Sequence, residues 1–122
     1  MKNNWIVIAA LMGFLGVALG AFGAHGLQNY LGPQDIETYK TGVFYHLIHS
    51  AVLLAIGLSG AERFTKAAAF IFAGIILFSF SLYLYSLTGI KFLAFITPLG
   101  GVSFLVGWAL IAYYGIRGNS KS

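Results

Sequence analysis

The chain has 122 residues, of which 59% are hydrophobic and 8% charged, against roughly 25% charged in soluble domains. So few charges cannot cover a water-soluble globule, which excludes a soluble enzyme, a disordered regulator and a basic nucleic-acid-binding domain. The absence of cysteine removes disulfide frameworks, thiolate catalysis and sulfur-rich metal sites. The net charge of +4 comes from basic residues spread along the chain rather than clustered, so the expected partner is the lipid bilayer and not nucleic acid.

Four apolar runs are each long enough to cross a hydrocarbon core of about 30 Å at about 1.5 Å per helical residue. They cover approximately residues 5–24, 42–59, 67–87 and 92–116. Backbone groups in lipid must bond internally, so the runs are expected to be helices. The expected fold is an all-α membrane protein, a compact bundle of four transmembrane helices forming one domain over residues 1–122, with residues 118–122 as a disordered polar tail.

The first run, Trp5 to Ala24, carries no charge. Lys2 before it and Ala21-Phe22-Gly23 near its end give it some features of a signal peptide. Its length and the three runs that follow favour a retained span. Gly13, Gly16, Gly20 and Gly23 recur at intervals of three, four and three, forming one helical stripe. Gly16-x-x-x-Gly20 is the spacing that lets another helix approach closely. The stripe is expected to pack helices within the bundle, with self-association into a homo-oligomer as the functional alternative.

Gly32-Pro33 ends the loop that follows. Proline is favoured at the first position of a helix, and acidic groups in the first turn complement its dipole. Pro33, Asp35 and Glu37 therefore predict a helix that starts near Pro33 and runs into the second span. Within that span His46 and His49 share a face at i and i+3. Counted from Gly42, both fall in the outer half, at a depth similar to His25 at the end of the first span. Ionisable groups in a bilayer usually face the bundle interior and are candidate sites. The three histidines can be read as ligands of a divalent metal, with Asp35 or Glu37 completing the shell. They can also be read as a proton relay, or as neutral groups that specify packing, which is the favoured reading.

The third span brings hydroxyls, among them Ser81 and Tyr85. A serine in a membrane helix can satisfy itself on its own i−4 carbonyl, so packing explains these groups without a function. In the fourth span Thr97-Pro98 is followed by Gly100-Gly101. Proline removes a backbone hydrogen bond and kinks or breaks a helix, and broken helices at membrane depth need cover from protein or a cavity.

Basic residues set the orientation. Lys2, Arg63, Lys66, Arg117 and Lys121 would lie on the side of the termini, with Lys40 and Lys91 opposite. The excess favours cytoplasmic N and C termini.

Several segments together resemble one family. They are Gly20-Ala-Phe-Gly-Ala-His-Gly26, Tyr45-His-x-x-His-Ser50, Phe78-Ser-x-Ser-Leu-Tyr83, Thr97-Pro-x-Gly-Gly101 and Gly107-Trp108. The resemblance is to the domain of unknown function 423 family, also called the transmembrane protein 256-like family, and it covers essentially the whole chain. It implies a four-helix protein of the bacterial plasma membrane and no activity. From the polar residues gathered toward the outer side, the expected function is a small ligand-, lipid- or metal-binding bundle with a polar pocket in its outer-leaflet half. The residues that would line this pocket are His25, His46, His49, Ser81, Tyr85, Thr97 and Pro98. The alternatives are a channel or transporter subunit built by oligomerisation and a histidine-based membrane metalloenzyme. The enzyme is the least favoured, since the spans hold no acid, base or nucleophile beyond histidine and hydroxyls.

Overall fold

A computed structural model describes the backbone of residues 4–121 and the side chains of residues 4–118. Its helices are α1 (Asn4–Gly26), α2 (Pro33–Ser59), α3 (Thr65–Gly74), α4 (Ser81–Thr88) and α5 (Phe92–Lys121). A 3-10 turn, Glu62–Phe64, leads into α3, and a π-helical stretch, Ile75–Phe80, joins α3 to α4. The segment Glu62–Thr88 is thus one membrane-length rod, and the protein has four such spans.

Local chemistry sets the ends of these elements. Gly32 caps α2 with extended backbone and Pro33 occupies its first turn together with Asp35, as expected from the breaker. Gly60 and Gly89 end α2 and α4 at φ values of 66° and 72°, a left-handed conformation that costs glycine nothing. α2 therefore begins a full nine residues before the apolar run at Gly42, without a break. Helix α5 likewise continues past Gly118 to Lys121, into the stretch expected to be disordered. Extending an existing helix costs far less than nucleating one, so a polar tail can continue the rod. Ser122 and the side chains of residues 119–121 lie outside the described residues.

The helices pack in sequence order: α1 lies along α2, and the third span lies against both α2 and α5. Glycines set the spacing. Opposite α2, a Cβ on Gly16 would meet Leu47 at 2.6 Å and one on Gly20 would meet Val43 at 3.1 Å, while Gly23 faces the Tyr39 ring. Near the other end of this pair, Gly57 of α2 lies against the Ile6 backbone. Gly13, by contrast, meets nothing within 4 Å. The small-residue stripe of α1 is therefore largely consumed inside the chain. Between the third span and α5, Gly74 faces Phe104, Gly107 faces Ile71, and Gly100 lies directly on the backbone of Leu77 and Phe78. The main apolar core gathers Ala9, Leu53, Ala68, Ile71, Ile75 and Phe104, and a second cluster joins Leu27, Tyr39 and Tyr83.

Pro98 sits inside the continuous helix α5 and does not break it. The backbone irregularity is in its neighbour instead, where the π stretch receives Gly100. Such stretches relieve a packing or hydrogen-bonding conflict within a helix and are frequent at functional sites.

Candidate functional site

Among the described residues, the polar groups of the interior form three sets, with Ser103 and Ser79 lying apart from them. The first joins α1, α2 and α4. The Tyr39 hydroxyl donates to the Leu19 carbonyl at 2.6 Å. Seven residues further along α2, His46 Nε2 lies 2.8 Å from the Met12 carbonyl and its Nδ1 lies 2.7 Å from the Tyr83 hydroxyl. Met12 and Leu19 are themselves seven residues apart on the antiparallel partner. Each of these carbonyls lies four residues before a glycine, Gly16 and Gly23, that is closely covered by the donor's helix. In an α-helix a carbonyl accepts from the N–H four residues on, and a glycine at that position leaves it open to a second donor from outside. Two equivalent bonds thus fix the register of α1 on α2. The sequence carries this as two glycines at an interval of seven matched by a tyrosine and a histidine at the same interval.

The second set joins α2 to α5. His49 Nδ1 is 2.7 Å from the Tyr45 carbonyl of its own helix, and its Nε2 accepts from Trp108 Nε1 at 3.0 Å. The imidazole stacks on Phe104 at 3.7 Å between centroids and 13° between planes. The third set joins Ser81 to Thr97 by a hydroxyl pair at 2.5 Å. Each hydroxyl also reaches a carbonyl of its own helix, Phe78 for Ser81 and Leu93 for Thr97. Ser103 donates to the Phe70 carbonyl at 2.7 Å. Ser79, inside the π stretch, is fully buried and its hydroxyl has no partner among the described residues.

These sets correct the expected outer-half pocket. His46 is the middle residue of α2, which starts at Pro33 as expected, whereas the outer-half placement counted depth from the apolar run at Gly42. His49 lies one turn further from the loop end. His25 is exposed at the loop end of α1. It stands nine residues beyond Gly16, the residue level with His46, or about 13 Å along the axis. The structure therefore does not bring the three histidines together, and no group of three or more candidate metal ligands converges among the described residues. Each neutral imidazole also has one lone pair only. At His49 it is used by the Trp108 indole and at His46 by Tyr83, so a metal would have to displace an interhelical bond. Tyr85 is half-buried and makes no side-chain hydrogen bond among the described residues. Pro98 is exposed on α5. Of the expected pocket residues, Ser81 and Thr97 are the pair in direct contact.

Concave space lies elsewhere. A groove of about 300 Å³ runs between α1 and α2 along Gly20, Ala24, Ile36, Lys40, Val43 and Leu47. A second, of about 310 Å³, lies between α2 and α5 near Trp108. Sequence reasoning missed both, since a groove is made by what small residues leave unfilled.

Comparison with known proteins follows the same lines. Residues 19–101 match the family described as protein of unknown function DUF423, and this segment holds the His46, His49, Ser81 and Thr97 positions. The chain belongs to that family. It is 42% identical to the UPF0382 membrane protein YwdK of Bacillus subtilis, over 93% of this chain and 96% of the relative. Identity to the UPF0382 inner membrane protein YgdD of Escherichia coli K12 is 40%, over 95% and 92%. A UPF0382 membrane protein of Haemophilus influenzae is 40% identical over 98% and 99%. No solved structure matches the chain. The protein is thus a multi-pass integral membrane protein of an uncharacterised family.

Proposed function

We propose that this protein is a lipid-binding membrane bundle, holding one acyl chain of a phospholipid in the outer-half groove between α1 and α2, with both termini in the cytoplasm. The observation that carries this reading is the depth and polarity of the groove. From Ile36 to Leu47 it follows α2 for eleven residues, about 16 Å, which is about half of a 30 Å hydrocarbon core and so one leaflet. Its walls are apolar, and Lys40 is the cation at its loop end. A lysine there extends its ammonium to the interface while its stem covers apolar surface, the right placement for a lipid phosphate. The cytoplasmic placement of the termini is supported by the excess of Lys and Arg on their side.

The test is lipid retention. Full-length protein extracted from bilayers of phosphatidylglycerol and phosphatidylethanolamine is weighed by native mass spectrometry. Wild type is expected to keep one phospholipid through mild activation. Ala24→Trp, which fills the groove from its exposed edge, is expected to reduce the lipid-bound fraction at least fivefold, and Lys40→Gln to reduce it two- to threefold. Equal retention by all three proteins sinks the reading.

A further inference from the structure

The groove between α1 and α2 is continued at its loop end by a hollow of a different chemistry. Ile36 lines the groove and also lines this second space, of about 380 Å³, together with Gln28, Leu31, Pro33 and Glu37. The two are contiguous at that one side chain. The groove is apolar apart from Lys40 at its end, whereas the hollow has an amide, a carboxylate and no cation among its lining residues.

Helical spacing sets the order of these groups. Glu37 stands three residues nearer the start of α2 than Lys40, about 4.5 Å farther from the hydrocarbon. Residues at i and i+3 share a face, with Cβ atoms about 5–6 Å apart, close enough to close into an ion pair. Here the two stay apart: among the described residues neither Glu37 nor Lys40 makes an ion pair with the other or elsewhere. Both side chains are exposed. Thr41 donates to the Glu37 carbonyl of its own helix and not to the carboxylate. Each charge is therefore open to a ligand.

From the hydrocarbon outward the chain thus presents an apolar slot, a cation and then an anion. The complementary molecule carries an acyl chain, an anion and then a cation. Phosphatidylethanolamine has that order, with its ammonium a short ethylene link beyond the phosphate. The N–H groups of the ammonium can donate to a carboxylate and to the Gln28 amide oxygen. A glycerol headgroup supplies no cation and leaves net negative charge facing Asp35 and Glu37, the two carboxylates in the first turns of α2. A choline headgroup has the cation, but its methylated nitrogen has no hydrogen to donate.

We infer that Glu37 selects an ethanolamine headgroup for the phospholipid held between α1 and α2, its carboxylate receiving the ammonium while Lys40 meets the phosphate. The inference rests on the groove reading proposed above and adds the headgroup to it.

The test is a competition among headgroups. Full-length protein is equilibrated with equal amounts of phosphatidylethanolamine, phosphatidylglycerol and phosphatidylcholine of matched chains, and the retained lipid is identified by its mass in native spectra. Wild type is expected to retain phosphatidylethanolamine at least threefold over each competitor. Glu37→Gln, an exposed substitution that disturbs no packing, is expected to bring the three lipids close to parity while total retained lipid falls less than twofold. Equal retention of the three by wild type overturns the headgroup inference and leaves the acyl groove standing. An unchanged preference in Glu37→Gln overturns it as well. Displacement of the lipid by soluble phosphoethanolamine at equal concentration does the same, because the site would then recognise a free headgroup rather than a lipid. Wild type that retains no lipid at all defeats the groove reading itself, and this inference with it.

Discussion

His46 and His49 are one turn apart on the same helix, yet the two sides of α2 hold them in different ways. His46 faces α1 and α4, and both of its ring nitrogens reach other helices. His49 faces α5, and one nitrogen is spent on the Tyr45 carbonyl of its own helix. The first interface rests on regular backbones brought together by glycines, so carbonyls of α1 become acceptors for side chains. The second rests on an aromatic stack and one indole bond, beside a third span whose backbone departs from α geometry to receive α5. The regular α1–α2 pair thus locks by side-chain bonds to two opened carbonyls, whereas the third span and α5 lock by close glycine packing, to which the Ser103–Phe70 carbonyl and Ser81–Thr97 bonds are added.

The sharpest way to break the packing of the third span on α5 is Gly100→Val. Any Cβ there would overlap the Leu77–Phe78 backbone, which has no rotamer to give way. Separating α5 from the third span should destabilise the protein by about 3 kcal/mol or more. Unfolding in detergent micelles, followed by circular dichroism, measures it; a loss under about 1 kcal/mol would mean that the π stretch adapts. On the other side, His46→Leu removes two interhelical bonds and leaves the buried Tyr83 hydroxyl unpaired. A cost of about 2–3 kcal/mol is expected. His49→Leu removes one interhelical bond near a half-open indole, for about 1 kcal/mol, since such bonds in membrane bundles average about 0.6 kcal/mol. Equal losses for the two leucine variants would erase the distinction between the two sides.

Much of the first interface was legible in the amino-acid sequence. Gly16, Gly20 and Gly23 announce a close helix approach, and Pro33 marks the start of α2. The acceptors were not legible, because Met12 and Leu19 contribute carbonyls that every residue carries, and only the antiparallel register selects them. The second interface was harder still. Nothing within Ile75–Phe80 breaks a helix; the irregularity is imposed by Gly100 on the neighbouring rod, while Pro98, the visible breaker, stays helical. Trp108 stood out as part of a motif, but its pairing with His49 follows from a depth that the apolar run misplaced. Counting from Gly42 instead of Pro33 moved both histidines toward the loop end and made a cluster with His25 look plausible.

The smallest expected effect costs no stability and tests the comparison at the level of single protons. Carbonyl oxygens only accept, so the nitrogen facing one must carry the hydrogen. His46 therefore carries it on Nε2, toward Met12, and receives the Tyr83 hydroxyl on Nδ1. His49 carries it on Nδ1, toward Tyr45, and receives the indole of Trp108 on Nε2. The two imidazoles are opposite tautomers, each selected by its acceptor-only neighbour. Solid-state nitrogen-15 spectra of histidine-labelled protein in bilayers should show, beside the signals of His25, one residue of each type, assigned by the loss of one signal set in His46→Leu or His49→Leu. Trp108→Phe should move only the pyridine-type signal of His49, because it removes the donor to that nitrogen and nothing around His46. Two histidines of the same tautomer would mean that one of these interfaces is wired differently, and the contrast between the two sides of α2 would have to be redrawn.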